Sequence, residues 1–164
     1  MEIKTSSSRM HSLIVLYDMH TDYFSKAIDG ISDENAHNRL DTKANHISWI
    51  AGSLVHERFE LAGTLGTEIS QSAGELFKDH KGIQDGVTYP SLEEYKKDWE
   101  KISPVLRNVY CNISDEILDS TFEMPEMSMT YYELITFMTY REATCIGQIA
   151  LWRRLLGLSA MKYM

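Results

Sequence analysis

Two cysteines in 164 residues, Cys111 and Cys145, are too few for a disulfide framework, and both fall within helical patterns, so reduced thiols are expected. Their spacing with the six histidines does not resemble a zinc ribbon. Basic residues are also scarce: 16 Lys and Arg stand against 24 Asp and Glu, a formal charge of -8. Nucleic acids and anionic membranes need a basic face that displaces counterions, so neither is an expected partner. Long apolar runs are missing too. No segment approaches the ~18 uninterrupted apolar residues of a membrane span. Residues 1–10 lack the charged head, apolar run and small-residue cleavage site of a secretory signal. The expectation is a soluble cytoplasmic protein with residues 1–164 forming one domain that can bury its own core.

What the chain does contain is helical periodicity. Leu13, Ile14, Tyr17, Thr21, Phe24 and Ile28 recur at three and four residues, with Gly30 placed to end the run. A second run carries Ile47, Ile50, Ala51, Leu54, Val55, Leu61 and Ala62 and stops near Gly63. A third opens at Ser91 and Glu94, whose spacing is that of a capping box, and continues through Leu92, Tyr95, Trp99, Ile102, Leu106 and Val109. Pro104 should kink it, because proline has no NH to donate and crowds the carbonyl one turn back. The fourth starts at Thr130 and Glu133, again with capping-box spacing, and runs to Gly157, roughly 40 Å at ~1.5 Å per residue.

The connections carry weaker signals. Ser32-Asp33-Glu34-Asn35 and Ser114-Asp115-Glu116-Ile117 look like the starts of short helices. The stretch from Gly63 to Tyr89, rich in Gly, Ser and Thr, has the length of a crossover between the second and third long helices. Met124, Met127 and Met129 lie with Pro125 in what reads as a loop, a flexible cover or contact surface. The expected fold is all-α, a four-helix bundle.

Two stretches then suggest a family. Asn45-His46-Ile47-Ser48-Trp49-Ile50-Ala51-Gly52-Ser53-Leu54 resembles the Asn-His, Trp, Gly-His-Leu pattern of the DinB/YfiT-like superfamily of bacterial four-helix proteins. Arg141-Glu142-Ala143-Thr144-Cys145-Ile146-Gly147-Gln148-Ile149 is similar to that family's His-Glu-x-x-His-x-Gly-Gln-Ile ending. The resemblance implies a bundle with a central cleft, a divalent metal such as zinc or nickel held by three histidines, thiol S-transferase or related activity, and pairing into homodimers. Carried over position by position, the three ligands fall on Ser53, Arg141 and Cys145. A hydroxyl is a poor ligand, a guanidinium repels a cation, and one thiolate alone does not hold zinc. No resident metal or other cofactor is therefore expected.

Stepping by four and three from Leu134 through Met138, Arg141, Cys145, Gln148, Trp152 and Leu155 puts Arg141 on the inward stripe of the fourth helix. A guanidinium there needs a carboxylate, a bound anion or water, and Glu57 and Glu60 are the nearest candidates. Trp49, His56, Glu57, Tyr140 and Glu142 are the candidate lining of the cleft. Cys145 reads as a small buried hydrophobe or, beside Arg141, as a thiol with a lowered pKa. His46 and His56 read as capping or polar-face histidines, and His20 as inward-facing beside Thr21.

Three functions follow. The first is a protein that has lost the family metal and binds a small anionic molecule around Arg141. The second is a metal-dependent S-transferase or hydrolase with ligands displaced onto His56, Glu142 and Cys145. The third is a non-catalytic dimeric scaffold.

Overall fold

A computed structural model describes residues 3–125 and 127–163. Four long helices dominate it: α1 (Met10–Ile28), α3 (Ile47–Thr64), α4 (Leu92–Asn112) and α6 (Tyr131–Leu155). Between them lie two one-turn helices, α2 (Asp33–His37) and α5 (Asp115–Asp119), and a two-stranded sheet of β1 (Thr121–Met124) and β2 (Met127–Thr130). Each long helix packs chiefly against two others, α1 and α3 both lying between α4 and α6. Phe24, Ile14, Ile50, Leu54, Trp99, Ile102, Leu106 and Ile149 fill the shared core. The protein is thus mostly helical, and among the described residues no helix is long and apolar enough to cross a membrane.

The helix starts follow from local chemistry. Ser91 Oγ accepts from the Glu94 NH at 3.2 Å while the Glu94 carboxylate accepts from the Ser91 NH at 3.0 Å. Thr130 and Glu133 repeat the arrangement at 3.2 and 2.8 Å. Each box satisfies two backbone donors that the first turn leaves free. Ser32 and Ser114 cap α2 and α5 in the same sense, as their positions predict. Helix α4 continues through Pro104, and Tyr17 donates its hydroxyl to the neighbouring Ser103 carbonyl at 2.9 Å.

His46 is a capping histidine. Its Nδ1 accepts from the Trp49 NH at 3.0 Å at the start of α3. Burial, with help from His37 and Arg39, pushes its pKa from 6.5 down to about 4. A protonated ring could not accept that hydrogen bond and would place positive charge at a helix N-terminus. Between pH 6.5 and 4 the unfolded chain therefore binds more protons than the folded one. We expect stability to be constant above that window and to fall as pH drops through it. His56, also lowered by burial, adds with the same sign. Urea unfolding at pH 7.0 and 4.5 checks this. His46→Asn keeps a side-chain acceptor at the cap and should show a smaller pH dependence, whereas equal slopes would remove His46 as the cause.

One connection differs from expectation. The methionine segment is a β-hairpin rather than a loop, pairing Phe122 with Met129 and Met124 with Met127. Alternation puts these four side chains on one face. Four-residue strands with one β-branched residue each, Thr121 and Thr130, leave too weak a period to see in the sequence. The long connection after α3 contains two short 3-10 turns, Gly74–Leu76 and Lys78–His80, with Asp79 and His80 both in the left-handed region.

Candidate functional site

The site begins with the periodicity of α6. Its most buried positions include Ile135, Thr139, Glu142, Ile146, Ile149 and Arg153. From Ile135 these step at the 3.6 residues per turn of an α-helix. The stripe expected from Leu134 to Leu155 steps at 3.5, and a straight helix drifts about 20° per heptad away from such a pattern. Of that stripe Leu134, Cys145 and Trp152 stay buried, whereas Gln148 is exposed and Leu155 is 58 % exposed. Arg141 falls at the edge of the buried face, and Glu142 falls at its centre.

That rotation corrects two cleft assignments. Tyr140 is 68 % exposed and does not line the cleft. Glu142, 6 % exposed, points into the core and not the cleft. There it receives a two-pronged bond from Arg58 of α3, Nε to Oε1 at 2.5 Å and Nη2 to Oε2 at 2.9 Å. His20 Nδ1 lies 3.2 Å from Oε2. Burial by itself would push the Glu142 carboxyl up, but Arg58 and His20 overcome this and hold it below the usual carboxylate range. Arg58 also donates to Thr21 Oγ1 at 2.9 Å and Ser103 Oγ at 2.7 Å, and its guanidinium carbon sits 3.4 Å from the Trp99 ring centroid. Arg58 was not singled out in the sequence, although a signal existed. It occupies the vacant position, four after Leu54 and three before Leu61, on the apolar stripe of α3.

Arg141, by contrast, meets α3 beside a cavity. Its Nη2 donates to Ser53 Oγ at 3.0 Å, and its Nη1 lies in ion-pair contact with Glu57 Oε1. Three neighbouring elements and the long connection close around this pair. Trp49, His56 and Glu60 come from α3, and Leu134, Phe137 and Met138 from α6. The hairpin contributes the face bearing Phe122, Met124, Met127 and Met129, and Phe77 stands in the connection. The cleft has a volume of about 760 Å³. His56 Nδ1 accepts from Gln71 Nε2 at 2.6 Å on the same wall. Of the charged side chains around the cavity, the carboxylates Glu57, Glu60, Glu75 and Asp79 face the cations Arg141, Lys78 and Lys81.

Cys145 lies one turn along α6 from Arg141, buried and outside the cavity lining. Burial raises its pKa, and the opposing pull of Arg141 does not reverse this. It is a protonated structural thiol at neutral pH. Of the three positions that the resemblance would assign to metal ligands, Ser53 and Arg141 meet, and their chemistry does not fit a divalent cation: the serine and the guanidinium bond to each other, and Glu57 answers the positive charge. The displaced set is not brought together either, because Arg58 and His20 occupy the Glu142 oxygens. Among the described residues no group of three or more His, Cys, Asp and Glu is placed to hold a metal ion.

No family model matches the chain. No curated protein sequence matches it either. What the cleft does must be read from its own lining: aromatic rings and thioethers beside the Arg141–Glu57 pair, with further side chains of both charges around them. Sites that hold small organic molecules have this build and a volume of roughly 300–1,000 Å³.

Proposed function

We propose that this chain is a divergent DinB-like four-helix bundle that binds a small organic molecule in the cleft between α3, α6 and the hairpin, without a resident metal. The observation that carries the reading is the cleft with Arg141 in its lining, bonded to Ser53 and paired with Glu57. An arginine–carboxylate pair links α3 to α6 where a metal would have linked them. Its partly open side chains remain available to orient the polar end of a ligand. The methionines around the mouth adapt to varied apolar shapes. Catalysis finds less support, since Cys145 is buried and protonated and Glu142 is committed to Arg58.

The neutral fluorescent probe N-phenyl-1-naphthylamine tests the cleft. We expect saturable binding of one probe per chain. Phe137→Glu should weaken it at least tenfold, because Phe137 lines the cleft but is half exposed, so a charge there spares the core. The circular dichroism melt of that variant should match the wild type. Unsaturable binding, or equal affinity of the two proteins, would rule the reading out.

A further inference from the structure

We infer that the group recognised at the floor of this cleft is uncharged and carries both a hydrogen-bond donor and an acceptor, as a carboxamide does. The inference rests on the cleft being a binding site, and it concerns which chemistry that site selects.

The floor presents opposite charges side by side. Arg141 offers N–H donors, Glu57 offers carboxylate acceptors, and their mutual contact cancels the net charge. A ligand carboxylate could reach Arg141 only by sitting beside the Glu57 carboxylate, a like-charge contact out of bulk water. A ligand ammonium would meet the guanidinium in the same way. A carboxamide avoids both conflicts, since its carbonyl accepts from the guanidinium while its NH₂ donates to the carboxylate. The rim does not tip the balance toward anions, because Lys78 and Lys81 are opposed there by Glu75 and Asp79.

Two further atoms point the same way. Trp49 Nε1 and Glu57 Oε2 are closed to solvent and make no hydrogen bond among the described residues. One is a donor lacking an acceptor, and the other is an acceptor lacking a donor. Buried polar groups are rarely left so, and each such orphan calls for a partner. A head group with both functions offers the kind of partner that each of them lacks. The body of the ligand then lies on Phe122, Met129 and Phe137, which suit an aromatic ring.

Phenylacetamide, phenylacetate and phenethylamine share a ring and a similar reach and differ in head-group charge. We expect phenylacetamide to bind the wild-type chain at least tenfold more tightly than either charged analogue, a difference of about 1.4 kcal/mol. It should shift the indole N–H resonance of Trp49, assigned by its loss in Trp49→Phe. In Glu57→Gln the like charge is gone and Arg141 is free, so discrimination against phenylacetate should shrink or reverse. The wild-type comparison decides the head group without relying on any variant. Phenylacetate binding wild type as tightly as the amide would overturn this inference and leave the cleft reading standing. Absence of any shift at cleft residues with all three compounds at millimolar concentration would overturn both.

Discussion

Glu142→Ala is expected to lower the free energy of unfolding by about 3–5 kcal/mol, the usual result of removing one partner from a buried ion pair. Arg58 is 1 % exposed, and without Glu142 its charge would keep only hydroxyl partners and the faces of Trp99 and Tyr17. A guanidinium does not shed its proton to escape, so the penalty falls on folding itself. In a chain of this size the melting temperature should drop on the order of 10 °C. Urea unfolding followed by circular dichroism measures the loss. The double variant Arg58→Met, Glu142→Leu provides the control. Buried ion pairs often gain little over apolar side chains of similar volume, so it should recover most of the stability lost in the single variant. A single variant as stable as wild type would show that Arg58 finds water or another anion in the core.

Gly52→Ala should cost about 2–3 kcal/mol and weaken probe binding as well. A methyl at Gly52 would run into the Phe77 and Tyr95 rings. Ring atoms can often give way, but these two are buried. Phe77 also packs on Tyr89 and Trp49, so moving one ring moves its neighbours. Overpacking of this kind is relieved by backbone shifts and strained rotamers. The contact lies between α3 and α4, and Phe77 is also a wall of the cleft, so stability and binding should fall together. A variant that loses stability but binds the probe normally would show that Phe77 moves independently of the site. The Gly52-Ser53 step thus has a physical meaning in this chain: the glycine admits two rings, and the serine holds Arg141.

Helix positions were readable where their determinants are local. Ser91 with Glu94 and Thr130 with Glu133 each involve residues three apart, so the capping boxes are visible in the sequence and close as expected. Ser32 and Ser114 are equally local. The hairpin escaped because its strands are short and its pairing joins residues whose separation carries no period. Arg141 with Glu57 was foreseeable because one charged residue on an apolar stripe requires an opposite charge within reach. The neighbouring glutamate was misplaced for a geometric reason. The buried face of α6 is centred near Glu142, about 100° round the helix from Arg141, which leaves Tyr140 in solvent and turns Glu142 into the core.

From its order of residues alone, this chain determined its largely helical class and the capped starts of α2, α4, α5 and α6, because each is a property of nearby residues. Only the tertiary structure decided which charges meet. Arg58 finds Glu142 across 84 positions, and Arg141 finds Ser53 across 88. Such pairings depend on the rotation of packed helices about their own axes, where a single residue of phase, about 100° on a helix, separates a buried ion pair from the floor of a cleft.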